Sequence, residues 1–173
     1  GAARHRKEPV LSMIRPDNTV LYQRLNRFTW LMDLYGDNFL RLQALIDPDR
    51  LVAGVFISEG RDGLLLRMEV LERHNYTVEI KLSYTLRDDH TGALDPSANI
   101  RIYLDSKQAE ASHCYVGRRW QDVLGIRPSP AQMVSHRLRM NGFLNKWLLY
   151  LKQQEHGPST WHLDQIPAEF IAS

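Results

Sequence analysis

The chain has 173 residues, 43% of them hydrophobic and 24% charged, with a formal net charge of +2. That composition belongs to an ordinary globular protein with one core, able to bury roughly two thirds of the surface of its unfolded chain, and it excludes a disordered or fibrous class. A single cysteine, Cys114, excludes an internal disulfide and a thiolate metal cluster, and no apolar stretch approaches the roughly 20 residues that span a bilayer.

The expected setting is therefore the cytosol, since GAARHRKEP at the start is basic but no apolar segment of signal-peptide length follows it. Residues 1–18, with Pro9, Pro16 and scattered charge, read as a mobile arm. Residues 19–157 read as a single domain and 158–173 as a tail.

From Thr19 the pattern is helical. Phe28, Leu31, Met32, Tyr35, Phe39, Leu42 and Ile46 recur at steps of three and four, which predicts one amphipathic helix ending at Asp47-Pro48. Between Leu51 and Val116 the period falls towards two, in the segments LVAGVFISE, GLLLRMEVLER, YTVEIKLSYTL, ANIRIYLD and QAEASHCYV. Short turns separate them, with one longer loop near His90–Pro96, and none leaves room for a helical crossover, so an antiparallel meander is expected. A second helix then opens at Ser129-Pro130, where Gln132 completes a capping box, and stops at Gly157-Pro158. Its apolar surface is assigned to Met133, Leu138, Met140, Leu144, Trp147, Leu148 and Leu151. The predicted fold class is α+β: an N-terminal helix, a roughly five-stranded antiparallel meander, and a long C-terminal helix packed on the sheet.

Three blocks resemble the YqiB-like bacterial proteins, a family of unknown function. They are LMDLYGDNFLRLQALID at 31–47, NIRIYLDSKQAEA at 99–111 and NGFLNKWLLYLKQQEHG at 141–157. The resemblance covers Phe28 to Gly157 and implies a cytosolic protein with no established activity.

The charge is unevenly distributed: residues 51–100 hold five Lys/Arg against eight Asp/Glu, whereas 101–173 hold nine against six. Between Arg118 and Lys152 there are seven basic residues and one acid, Asp122. Arg118, Arg119, His136, Arg137, Arg139 and Lys146 are accordingly candidate anion-binding residues, with Trp120 available for stacking. The competing structural reading pairs these charges with acids on the sheet. Asn38 and Asn141 each sit beside an apolar stripe, so they either hydrogen-bond strand ends and one another or line a pocket between helix and sheet.

Catalytic patterns are lacking. His113 and Cys114 are strand neighbours whose side chains point to opposite faces, and no Gly-x-Ser-x-Gly elbow occurs. No metal-ligand spacing is present, and Gly60-Arg61-Asp62-Gly63 lacks the Lys-Ser/Thr of a phosphate loop. The face of the sheet carrying Glu79 and Lys81 reads as solvated or rimmed by helix.

The expectation is a non-enzymatic binding or regulatory module with a protein or small-molecule partner and with no metal, cofactor or membrane association. Nucleotide or nucleic-acid binding through residues 118–152 is the first alternative, not favoured because the whole-chain charge is nearly balanced. An enzyme acting on a phosphorylated substrate, with His136 as base, is the second. An exposed edge strand leaves a homodimer open.

Overall fold

The computed structural model describes residues 19–87, 89–119, 124–125 and 127–164. The arm 1–18, Trp120, Ile166 and Phe170 lie outside the described residues. Helix α1 runs Thr19–Gln43. Strands β1 (Gly54–Glu59), β2 (Leu65–Arg73), β3 (Thr77–Tyr84), β4 (Ser97–Tyr103) and β5 (Gln108–Tyr115) follow as an antiparallel meander. Helix α2, Pro130–Gln153, and a two-residue strand β6, His162–Leu163, complete the chain order. The sheet has six strands, not five, in the order β5-β4-β3-β2-β1-β6. Two residues are too few to show a period of two, so β6 escapes a pattern search. It is held against β1 by pairing of Ile57 with His162 and Phe56 with Leu163, and the Trp161 indole donates to the Leu45 carbonyl at 2.9 Å.

Both helices cover one face of the sheet. Leu66, Met68, Val78, Ile80, Leu82, Ile100 and Ile102 point into a core shared with Phe39, Leu42 and Leu45 of the α1 end and Met140, Leu144, Trp147, Leu148 and Leu151 of α2. Two expected core members are displaced: Phe28 is 52% and Met133 38% exposed. Each lies in the first half of its helix, before the point where the sheet begins to cover it. α1 ends at Gln43, short of Asp47-Pro48, in a turn where the Leu45 and Ile46 N–H groups both donate to the Leu42 carbonyl, and the proline keeps Asp47 itself out of the helical region. Asp47 is extended (φ −100°, ψ 100°) and instead caps a 3-10 turn, Pro48–Arg50, by accepting from the Asp49 N–H.

The α2 start matches its signature. Ser129 Oγ accepts from the Gln132 N–H at 3.2 Å, and Gln132 Oε1 accepts from the Ser129 N–H at 2.8 Å. Its end departs from expectation. The left-handed residue is Glu155 (φ 70°), two positions before Gly157. The Glu155 N–H donates to the Lys152 carbonyl at 3.0 Å and the His156 N–H to the Leu151 carbonyl at 3.3 Å, the paired bonds of a Schellman cap. The β1–β2 turn assists, with the Arg61 N–H on the Gln154 carbonyl at 2.8 Å.

Asn38 and Asn141 turn inwards and are fully buried. Asn38 Nδ2 donates to the Ala109 carbonyl (3.4 Å) and to Asn141 Oδ1 (3.3 Å), and Asn141 Oδ1 also accepts from the Ala111 N–H (2.7 Å). Asn141 Nδ2 donates to the Arg137 carbonyl at 2.9 Å, and Asn145 Nδ2 to Asn38 Oδ1 at 3.0 Å. Of the two uses open to these amides, the strand-end one is what forms. It also occupies the outer edge of β5 at 109 and 111, where an open edge would otherwise invite a second strand.

Two stability predictions follow from this packing. Asn141→Ala orphans the Ala111 N–H and is expected to cost about 2–3 kcal/mol in urea unfolding, well above Asn145→Ala, because a buried donor loses its acceptor. Glu155→Gly is expected to raise stability by about 1 kcal/mol, since a left-handed residue with a Cβ is strained and the exposed Arg61–Glu155 pair at 4.0 Å adds little. A fall in the urea midpoint for Glu155→Gly would contradict the cap assignment.

Candidate functional site

With both helices on one face, alternation sends every second strand residue to the other. Register aligns these in rows across the sheet. One row runs Ile57, Arg67, Ser83, Ser97, Tyr115, and the next Val55, Glu69, Lys81, Asn99, His113. The connection between β3 and β4 is closed on itself by an Arg87–Leu94 bridge and the Arg87 guanidinium on the Gly92 carbonyl (2.9 Å), and a Thr91–Tyr115 hydroxyl contact ties it to this face.

Two cavities result. One, of about 640 Å³, is lined by Ile57, Glu59, Leu65, Arg67, Thr85, Arg87, Leu94, His162, Leu163 and Asp164. Its neighbour, of about 560 Å³, is walled by Arg67, Glu69, Lys81, Arg87, Leu94, Asn99, His113, Tyr115 and Arg119 among others. Arg67, Arg87 and Leu94 border both. The described walls of the second carry four cations, Arg67, Lys81, Arg87 and Arg119, against one carboxylate, Glu69.

Arg67 is the central group. Its side chain is 12% exposed, and its Nη1 meets Glu69 Oε2 at 3.4 Å, a loose pairing. Glu69 also stands directly across from Lys81 in the β2–β3 register. Arg67 Nε is buried and has no hydrogen-bond partner among the described residues. The same holds for the Ser83 hydroxyl, which belongs to Arg67's cross-strand partner. Buried donors are almost always satisfied; Arg67 borders both cavities whereas Ser83 borders neither, so it is the arginine that suits a ligand supplying oxygens. Farther along the face, Glu79 pairs with Arg101 at 3.8 Å and the Tyr103 hydroxyl donates to Glu110 at 2.6 Å, so that end is internally matched.

The cations singled out from sequence are divided by the fold. Arg119 borders the second open-face cavity, whereas Arg118 is exposed outside it. His136 and Arg139 share a cavity of about 320 Å³ with Ser135 and Leu124 on the helix layer. Burial, then the charges of Arg139 and Arg137, holds His136 below the usual histidine range. Arg137 is exposed, and its charge acts on Tyr35, whose hydroxyl is pushed up to about 12 chiefly by burial and by Glu110. Lys146 is exposed. Asn38 and Asn141 bond backbone and each other, as described above.

Sequence reasoning passed over Arg67 and Ser83. The available signal was one arginine inside the apolar run LLLRMEV, a position that strand alternation directs away from the core. Cys114 is buried on the core side with His113 exposed, and burial pushes its thiol up to about 12, leaving no thiolate for chemistry. Among the described residues no cluster of three metal-ligating side chains occurs, and no helix is long and apolar enough to cross a membrane.

A second polar cluster lies at the α2 end. Thr160 donates its hydroxyl proton to the Gly157 carbonyl at 2.9 Å, so Ser58 must donate to Thr160 (2.7 Å) and accept from His156 Nδ1 (2.6 Å). This relay fixes a neutral Nδ1–H tautomer, with Nε2 buried and without a partner among the described residues. A Cβ on Gly60 would stand 2.6 Å from that Nε2, so only glycine fits there. The relay ends on backbone and borders neither open-face cavity, which makes it an anchor for the helix end.

Residues 41–157 match the family described as protein of unknown function (DUF1249), and the chain belongs to that family. The match spans β1 to β5 and α2, hence both rows of the open face, but ends before β6. No curated protein and no solved structure matches the chain.

His156 yields a pH prediction. Burial depresses its folded-state pKa, opposed by the Asp62 carboxylate, so the unfolded chain takes up the proton first on acidification. Stability is complete above about pH 6.5, the unfolded value, and is lost as pH falls from there through the lower folded value. Urea midpoints measured across that window should decline for the wild type and flatten in His156→Gln. An equal slope in both would place the titration elsewhere.

Proposed function

We propose that this protein is a binding module whose site is the open face of the sheet and whose ligand carries an anionic group. The observation that supports this reading above the others is Arg67, a largely enclosed guanidinium with a buried, unanswered Nε, beside Lys81 on a cavity floor. An anion reaching Arg67 would gain charge-assisted hydrogen bonds with little ordering cost, because the arginine is already held by its strand and by Glu69. The reading includes no catalytic role. A cytosolic setting and the narrower YqiB-like, bacterial assignment belong to it as well, the latter resting on the three motif blocks alone.

A second reading keeps the anion on the helix layer, at His136, Arg137 and Arg139, where His136 and Arg139 border one cavity and burial, then the two arginine charges, depresses the histidine. One experiment separates them. Titration calorimetry with inorganic phosphate and with acetate should show binding that weakens about tenfold in Arg67→Met, the scale of one charge-assisted hydrogen bond, and less in Lys81→Met. The Arg137→Ala/Arg139→Ala double variant should bind as the wild type does. If the double variant alone loses binding, the site lies on α2.

A further inference from the structure

Resting on that anion-binding reading, we propose that the ligand is a small amphipathic acid. One carboxylate or phosphate is held at Arg67 and Lys81, and an apolar body up to about 10 Å long, two strand spacings, lies across Ile57, Leu65 and Leu94.

The two cavities differ in chemistry and touch at Arg67. On the β1 and β6 side, the walls beyond Arg67 and Arg87 include the apolar Ile57, Leu65 and Leu94, with Glu59, Thr85 and Asp164 at their border. Leu65 is 39% exposed on a face of an antiparallel sheet that normally carries polar residues. Ile57 and Arg67 are direct cross-strand partners, so apolar floor and cation stand side by side, with Cβ atoms about 5 Å apart. A volume of about 640 Å³ fits a compact organic molecule rather than a bare ion.

Neither half is completed by a simpler occupant. Inorganic phosphate would meet the exposed part of the Arg67 guanidinium and leave the apolar wall in water, whereas a neutral apolar molecule would cover the wall and leave that cation without an anion from the ligand. A molecule with both parts meets each demand. Glu69 then has a role in selection: it holds Nη1 and, with Glu59 and Asp164 bordering the apolar cavity, disfavours a second negative charge on the ligand body.

The test is calorimetric titration of the full chain with acetate, butyrate, hexanoate, octanoate below its micelle concentration, octyl phosphate and 1-octanol. Affinity should tighten about two- to fourfold per added methylene, the increment for burying one such group. Octanol should bind at least tenfold more weakly than octanoate, and octyl phosphate against octanoate ranks the two head groups. Leu65→Glu should flatten the chain-length dependence and Lys81→Met should weaken all the acids alike. Both positions lie outside the core, and thermal unfolding checks that both variants fold. If affinity is independent of chain length while Arg67→Met and Lys81→Met still weaken it, the apolar body is overturned and the anion reading survives. If no acid binds, or octanol matches octanoate, the anion reading falls and this inference with it.

Discussion

The layer arrangement depends on a bridge between two asparagines. Asn38 comes from α1 and Asn141 from α2, and together they answer a carbonyl and an N–H on the outer edge of β5. Apolar packing alone sets how deeply a helix sits on a sheet but is non-directional and tolerates sliding. Hydrogen bonds to Ala109 and Ala111 tie each helix to a particular strand position, and the Asn38–Asn141 contact ties the helices to each other. Exposed side chains extend the bridge, Asn145 reaching Asp37 at 2.6 Å, and with Arg41 it holds that carboxylate below the usual range. A buried network satisfied at most of its positions favours one packing over its neighbours.

Fixing both helices to one face determines what the other face becomes. An antiparallel sheet with one covered side usually leaves the second to water. Here the β3–β4 connection, at Arg87 and Leu94, borders two adjoining cavities, and β6 borders one of them. Arg67 is enclosed without contact from either helix, because the walls come from connections rather than from the core. Rigid strands holding a polar floor, with connections supplying the walls, is an arrangement suited to recognition, since register fixes the floor groups before any ligand arrives.

How much of this was legible in the sequence depends on the range over which each feature is determined. Alternation in YTVEIKLSYTL and the three- and four-residue steps of α1 are local and predicted the elements and their order correctly. The Ser129–Gln132 capping box is local too, and formed as read. The end of α2 was misplaced because Gly157 is the conformationally easy choice, yet the left-handed turn falls on Glu155. Tertiary contacts set that position: His156 must turn under Gly60 to meet Ser58, and a cap at Gly157 would carry it past. β6 was missed because its identity lies in its partner, β1, and not in its own two residues. Register across five strands, which aligns Arg67 with Ser83 and Glu69 with Lys81, is likewise invisible to any window along the chain.

Charge shows most directly how folding rewrites a linear reading. The stretch with five cations against eight acids is the acidic part of the chain, and it nonetheless supplies Arg67, Lys81 and Arg87 to the most cationic cavity described. Strand alternation and register leave only Glu69 of these acids among its described walls. Glu59 falls at the end of β1, Glu79 is matched with Arg101 in a separate row, and Glu72 lies beyond the bulge that interrupts β2. The basic stretch after Arg118 undergoes the reverse, dividing between Arg119 on the open face and the α2 cations on the helix layer. A potential is a property of positions in space, and in a sheet two residues twelve or more apart in sequence become neighbours at about 5 Å while adjacent ones face opposite sides. Net charge over a segment therefore says little about where such a protein attracts an anion. A lone arginine in an apolar strand says more, because the strand fixes where it points and burial decides how much of its charge is left for a ligand to answer.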